Sequence, residues 1–359
     1  MFLINYYKQL LLYNIIMNKI LMVIGGSGFI GSHFIDYMIS KDFRIINVDK
    51  ISYASNLNYC KSSSKMTFCK IDITSYRAIS ELIHKIKPHI IVNFAAESHV
   101  DRSIDDPNIF IKSNINGTTN ILISILKNRN EILKNNKHFK YIHISTDEVY
   151  GDFKKGLASE GSKYKPNSPY AASKASSDLI CRSFYKTYGI PIIICNSSNN
   201  YGQRQFLEKF IPRSICMMKM GMPVEIYGDG KQTRQWIHVS DNVNAISKII
   251  KYGKIGETYN IGGKNILQNI NVIKKIEEIM TKKFSINNIK INFVKDRPGH
   301  DTRYAISSKK LISHTNWKPT ISFENGLFHT INYYLNIKIN KKFTNILKRR
   351  GSFEYTKTN

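Results

Sequence analysis

No stretch of this chain reaches the roughly 20 consecutive apolar residues that a membrane span needs, although 42% of its 359 residues are hydrophobic. There is material for a core and none for a bilayer, so no membrane partner is expected. No Cys-x-x-Cys pair occurs either. The five cysteines (Cys60, Cys69, Cys181, Cys195 and Cys216) are irregularly spaced, with no histidine at a zinc-binding interval. That excludes a disulfide framework, gives no metal site to expect, and reads as a reduced, cytoplasmic protein. Internal repeats and low-complexity linkers are absent too, which excludes a repeat array. Acidic residues are few: 26 Asp and Glu against 53 Lys and Arg, a net charge of +27. Such a balance can mark a nucleic-acid or anionic-membrane partner. Here the lysines are scattered, and Lys, Ile and Asn are heavy even in loops. The excess therefore reads as compositional bias, and no nucleic acid is expected. The densest basic run, KKFTNILKRRG, falls in residues 336–359, which read as a solvated basic tail. The apolar start, MFLINYYKQLLLYNIIM, carries one lysine and no small-residue cleavage site. Met17 stands directly before NKILMVIGG, so residues 1–17 read as an extension ahead of the first core strand.

What is present is an alternation. Apolar runs at Ile20–Gly25, Phe43–Asp49, Met66–Asp72, His89–Ala96, Tyr141–Thr146 and Ile190–Asn196 read as strands. Between them lie helical patterns: Phe29, Ile30, Phe34, Ile35 and Met38 on one face, then Ser75–Ile86, Asn108–Lys127 and Ala171–Tyr188. Strands apolar on both faces, alternating with helices, argue a parallel sheet covered on both sides. The predicted class is α/β, a Rossmann-type doubly wound sheet over residues 18–200. After Asn200 the pattern breaks into shorter elements. Residues 201–335, mainly 201–234 and 264–318, are expected to form a smaller C-terminal lobe that holds the substrate. Residues 235–262, with a helix at Asp241–Tyr252, are expected to return to the first domain.

Gly25, Gly28 and Gly31, in GGSGFIG, follow G-x-x-G-x-x-G between the first strand and a helix. Glycine there lets the backbone turn tightly and approach a pyrophosphate at the positive helix N-terminus. A Gly-rich turn alone is weak, but Asp49 ends the second strand, where an acid accepts hydrogen bonds from the adenosine ribose. An acid repels a 2′-phosphate, which favours NAD over NADP; Lys50 beside it works slightly the other way. Asp72 and Ile73, ending the third strand, would flank adenine.

STDEVYG, residues 145–151, puts a hydroxyl, two carboxylates and a tyrosine at the end of a buried strand. YAASK then places Tyr170 and Lys174 one helical turn apart, on one face. A tyrosine near its reference pKa of about 10 is a poor base at neutral pH. A neighbouring ammonium, with a positive nicotinamide, stabilises the phenolate. Thr146 would then hydrogen-bond the substrate hydroxyl that loses its proton.

These residues, with AAESHVDRSI, SPYAASKASSD, SNNYG, YGDGKQTRQWIHV, YNIGG and DRPGHDTRYAI, resemble the extended short-chain dehydrogenase/reductases. Within that superfamily they look like the nucleoside-diphosphate-glucose 4,6-dehydratases, over about residues 18–335. The resemblance implies a lyase that oxidises C4 of a dTDP- or UDP-glucose, eliminates water across C5 and C6, and returns the hydride to C6. It implies Asp147 as the acid, Glu148 as the base, and Tyr170 as acceptor of the C4 hydroxyl proton. Lys174 would hold the nicotinamide ribose and Thr146 would orient the sugar. Phe29, Ile30, Ala95, Ala96, Ser113 and Asn200 are implied at the cofactor. Ser98, Asn199, Lys209, Tyr227, Arg234, Asn260, Arg297 and His300 are implied at the nucleotide sugar. A homodimer through the helices Asn108–Lys127 and Ala171–Tyr188, and a place in rhamnose-type deoxysugar synthesis, are also implied.

Departures from the family pattern are Asn196 for an arginine, Gln203 for a proline, Gln235 for an aspartate and Ser113 for a threonine. None removes a catalytic group. A UDP-sugar 4-epimerase or decarboxylase of the same superfamily is the competing enzyme, and the Asp147–Glu148 pair argues against it. A non-catalytic binding protein, suggested by the charge, would have no need to keep all five catalytic groups.

Overall fold

The computed structural model describes residues 19–348 apart from 42, 61 and 288. The expected extension at 1–17 and the last residues of the expected tail lie outside the described residues. Strands β1 (Ile20–Ile24), β2 (Arg44–Asp49), β3 (Met66–Lys70), β4 (Ile90–Asn93), β5 (Lys140–Thr146) and β6 (Ile192–Ser197) match the six apolar runs to within three residues at the ends. β7 (Asn199–Tyr201), β8 (Val224–Tyr227), β9 (Thr233–His238), β10 (Thr258–Ile261), β11 (Asn265–Gln268) and β12 (Ile291–Val294) follow.

A seven-stranded sheet runs β10-β6-β5-β4-β1-β2-β3, every pair parallel. This is the Rossmann-type arrangement read from the sequence. β1 shows why both faces must be apolar. Leu21 and Val23 point into one hydrophobic core, and Met22 and Ile24 into the other. Each such side chain contributes about 1.5–3 kcal/mol by burial, so a charge at Met22 would disrupt the sheet. All five cysteines are buried and none forms a disulfide.

A third core gathers Ile211, Trp236, Val272, Leu327 and Leu347 beside small sheets ordered β11-β9-β7 and β12-β8. Two boundaries differ from expectation. Leu311 and Trp317, expected in the lobe, pack in the main-sheet core instead. Residues Lys341–Lys348, expected as tail, form a helix whose Leu347 is fully buried in the third core. Its basic composition hid a single apolar stripe.

One helix also differs. Asn108–Lys127 is interrupted by a π-helical turn at Ile111–Asn116. That wider turn buries Ser113 and Asn114, and such turns recur at functional sites. Helix Pro169–Tyr188 is started by Ser168, whose hydroxyl accepts from the Ala171 amide, with proline in its first turn. This start fixes Tyr170 and Lys174 beside the end of β5, where Lys174 meets the Ile144 carbonyl.

Candidate active site

β1 is flanked by β2 on one side and β4 on the other, so chain order reverses beside it and a crevice opens at the strand ends. A cleft of about 240 Å³ lies there. It brings together Gly25, Gly28, Phe29, Ile30, Gly31, Asp49, Lys50, Asp72, Ile73, Ala95, Ala96, Ser98, Ser113, Tyr170, Lys174 and Lys209. Asn200 is not among its lining residues; its amide nitrogen donates to the Ser198 carbonyl at 3.0 Å.

The residues fit a dinucleotide. Gly25 sits at φ +77°, and a Cβ there would stand 2.5 Å from the Ala95 nitrogen. A Cβ on Gly31 would stand 2.2 Å from the Gly25 oxygen. Only glycine permits that turn. A Cβ on Gly28 would meet nothing closer than 3.4 Å, which leaves room for a close-lying group. Helix Phe29–Ile39 has no capping side chain at its start, so its first amides remain for an anion. Asp49 accepts from the Ser27 amide at 3.1 Å and the Ile51 amide at 2.8 Å. Lys50 is matched by Glu97 at 3.4 Å and Asp72 at 4.0 Å. Three carboxylates against one ammonium make this corner unfavourable for a 2′-phosphate.

The catalytic end is built on a 3₁₀ turn, Asp147–Tyr150, that follows β5 directly. The Thr146 hydroxyl caps it by accepting from the Glu148 amide at 3.3 Å, and donates to Asp147 Oδ1 at 3.4 Å. Asp147 is 2% exposed. Its Oδ2 and Glu148 Oε2 are buried with no hydrogen-bond partner among the described residues. Burial pushes the Asp147 pKa well above its ordinary value, Glu148 pushes it further, and Arg234 opposes. Glu148 is also raised by burial, but Arg297, Arg234 and Lys209 all pull it down. Two adjacent carboxyls thus meet different fields. Burial favours the acid form of both; the like charge of Glu148 adds to this at Asp147, whereas three cations oppose it at Glu148.

Burial, then Glu148 and Asp147, raise the Tyr170 pKa, and the Thr146 side chain opposes them. Phe110 packs edge-on against the Tyr170 ring, centroids 6.3 Å apart. Lys174 Nζ donates to the Ile144 carbonyl at 2.7 Å. Burial lowers the Lys174 pKa and Asp178 counters it. Asp178 also accepts from Ser145 Oγ at 2.8 Å and the Tyr164 hydroxyl at 3.1 Å.

Beyond the carboxylates the third core presents basic side chains. Arg234 donates to the Thr233 and Asp301 carbonyls, both at 2.9 Å, and lies 4.2 Å from the Tyr304 ring centroid. Arg297 pairs with Asp101 at 3.1 Å, yet its Nε is buried without a partner among the described residues. Lys209 Nζ donates to the Ser98 carbonyl at 2.5 Å. His300 meets Asp296 at 2.6 Å; burial, then Arg297 and Arg234, hold its pKa down to about 4. The Tyr227 hydroxyl donates to Asp101 Oδ2 at 2.9 Å. Asn199 Oδ1 is a further buried acceptor without a partner among the described residues.

Asn260 is a correction. β10 pairs with β6, placing Asn260 opposite Asn196 in the sheet, fully buried. Its side chain accepts from the Tyr150 hydroxyl at 2.8 Å and donates to the Ala158 carbonyl at 3.2 Å. It is committed to the fold and not to a ligand. Asn196, the departure noted in the sequence, joins the same network through Tyr150 at 3.0 Å.

Asp101 was missed. It holds Tyr227 and Arg297 together, and its signal was present in AAESHVDRSI as an acid in the first turn of a helix. Asn114 was missed as well: its amide bridges the Glu97 carbonyl at 3.0 Å and Ser173 Oγ at 2.9 Å.

Residues 22–330 match the family model described as GDP-mannose 4,6 dehydratase. The dTDP-glucose 4,6-dehydratase of Haemophilus influenzae is 44% identical over 333 residues, covering 88% of this chain and 97% of that one. That of Xanthomonas campestris is 42% identical over 325 residues, covering 88% and 92%. Among solved structures, the dTDP-glucose 4,6-dehydratase of Bacillus anthracis in complex with NAD superposes with a TM-score of 0.77 at 38% identity, over 88% of this chain and 96% of that one. The UDP-glucose 4-epimerase of Thermotoga maritima with UDP-glucose gives 0.79 at 26% identity, over 88% and 98%.

Proposed function

This chain belongs to the dTDP-glucose 4,6-dehydratase family, and on that premise we propose that it converts dTDP-glucose to its 4-keto-6-deoxy nucleotide and water. One observation carries the reading: Asp147 and Glu148 sit side by side at the end of β5, next to Tyr170, both raised by burial, with Glu148 adding to the rise at Asp147 and three cations opposing it at Glu148.

The cleft residues fit NAD: Gly25, Gly28 and Gly31 with the helix amides for the pyrophosphate, Asp49 for the adenosine ribose, and Tyr170 and Lys174 at the nicotinamide end. NAD, when bound, supplies a hydride acceptor at C4 and a hydride donor at C6. Tyr170 takes the C4 hydroxyl proton, with Thr146 holding that hydroxyl. Burial and two carboxylates oppose a phenolate, so the positive charge of Lys174 and of the bound cofactor must offset them. The new C4 carbonyl acidifies C5. Glu148 takes the C5 proton, and Asp147 gives its proton to the C6 oxygen, which leaves as water. Glu148 then returns a proton to C5 as C6 receives the hydride. The proton gained by Tyr170 balances the one spent by Asp147.

Arg234, Arg297 and Lys209 are suited to the diphosphate. Guanidinium forks match phosphate oxygens, and the unpartnered Arg297 Nε is a donor awaiting one. Tyr227, His300, Ser98 and Asn199 complete the nucleotide-sugar side. A cytoplasmic homodimer supplying rhamnose-type deoxysugars is part of the same proposal. Five buried cysteines outside any disulfide support a reducing compartment, and exposed Ile109, Ile111 and Leu179 support pairing through the helices Asn108–Lys127 and Ala171–Tyr188. Among the described residues no helix is long and apolar enough to cross a membrane.

The test is incubation with dTDP-glucose and, separately, UDP-glucose, following the alkali-induced absorbance of 4-keto-6-deoxy products. Faster turnover of dTDP-glucose is expected. UDP-galactose from UDP-glucose, with no keto product from either, would replace this reading with 4-epimerisation.

A further inference from the structure

Two loops meet over the Asp49 side of the cleft. One, residues 51–56, follows β2; the other, residues 202–209, follows β7. The Tyr53 hydroxyl donates to Glu208 Oε1 at 2.9 Å. Its ring meets Phe206 edge-on, centroids 5.2 Å apart. The Arg102 guanidinium lies 3.9 Å from the Tyr53 ring centroid. Ser52 and Ser55 from the first loop, and Phe206 and Glu208 from the second, line the cleft, so these contacts bridge its two walls. None of them takes part in the chemistry above.

Each loop is fixed at its base. Ile51 is at φ +57° and Arg204 at φ +66°, and a β-branched residue in that region is held there only by its surroundings. The Ile51 amide donates to Asp49 Oδ1, and Arg204 pairs with Asp36 at 2.7 Å. Anchored bases leave the Tyr53–Phe206–Glu208 contact as the place where the walls part. The contact joins the two loops whose residues line the cleft.

We propose that Tyr53, Phe206 and Glu208 are positioning residues of a clasp that must open for NAD to leave, and that this clasp sets the rate of cofactor release. The inference rests on the NAD assignment above. It also follows from the reaction's balance. The hydride taken from C4 returns to C6 within one cycle, so the cofactor ends as it began and has no need to exchange between turnovers. A closed clasp therefore costs no rate.

The experiment is a chase. Protein loaded with radiolabelled NAD is mixed with excess unlabelled NAD, and label retained is followed with time. Wild type, Tyr53→Phe, Glu208→Ala and the double variant are compared, with thermal melts to confirm folding. Tyr53 is 39% exposed, so its conservative variant leaves the core untouched. Each single variant is expected to release NAD about tenfold faster, the scale of one hydrogen bond to a carboxylate. The double should match Glu208→Ala, because that variant already removes the Tyr53–Glu208 bond along with the Glu208 contact to His99. Release at the wild-type rate in both singles overturns the clasp, and so does a double whose effect is the product of the two. Wild type that takes up no NAD overturns the clasp and the cofactor assignment together.

Discussion

Replacing Asp147 by asparagine should make the protein more stable at neutral pH while abolishing its turnover. The carboxyl is 2% exposed, one oxygen has no hydrogen-bond partner among the described residues, and Glu148 adds a like charge. Burial first, then Glu148, lift its pKa well above the ordinary 3.8. Each unit of that lift costs the ionised native state about 1.4 kcal/mol. The asparagine removes the ionisation and keeps the shape. Against this, its buried amide group costs about 1–3 kcal/mol if it finds no acceptor. A carboxyl raised well above its ordinary value outweighs one unpaired amide. The sign follows from which state loses its proton first. The folded pKa is raised, so the unfolded chain ionises earlier as pH climbs, and wild type loses stability from about pH 4 up to the folded value. Below that window both proteins carry a neutral group, and the variant's advantage disappears. Melting curves from about pH 3 to about pH 8 test it. At neutral pH the variant should melt higher, by less than the roughly 2–4 °C per kcal/mol of a 150–250-residue protein because this chain is longer, with the gap closing near pH 3 or reversing. A variant that melts no higher than wild type at neutral pH, or a gap that ignores pH, would refute the field assigned to Asp147.

Glu148→Gln should lower kcat by about 10²–10⁴-fold and stop exchange of the C5 hydrogen with deuterated solvent, whereas Asp147→Asn should keep that exchange. Gly31→Ala would place a methyl 2.2 Å from the Gly25 oxygen and 2.8 Å from Gly26 Cα; calorimetry should show NAD affinity down at least about tenfold, by loss of the close turn. Asp101→Asn weakens the bonds that hold Tyr227 and Arg297. It should raise KM for the nucleotide sugar about tenfold, the scale of one charge-assisted bond, with kcat changed less.

Strand-level architecture was legible because burial on two faces leaves no polar alternation: Leu21 to Ile24 could only be an interior parallel strand. The glycine turn was legible because its spacing is local, and the carboxylate pair because Asp147 and Glu148 are adjacent. What tertiary partners decide was not. Asp101 acquires its task from Tyr227, 126 residues away, and Tyr53 from Glu208, 155 residues away. Asn260 was misassigned because its motif, YNIGG, carries no mark of which strand β10 would pair with. The break in Asn108–Lys127 was invisible for a related reason: its apolar spacing suits a continuous helix, and the π-helical turn answers to Asn114's bonds with Glu97 and Ser173. The helix at Lys341–Lys348 shows that a basic composition does not exclude a buried Leu347.

The account's central claim is that one hydride leaves C4 and returns to C6 of the same sugar. Turnover of dTDP-glucose deuterated at C4, in ordinary water, tests it most directly. Deuterium in the C6 methyl group of the 4-keto product is the predicted result. Deuterium retained at C4 of an intact hexose, or lost to solvent, would contradict it.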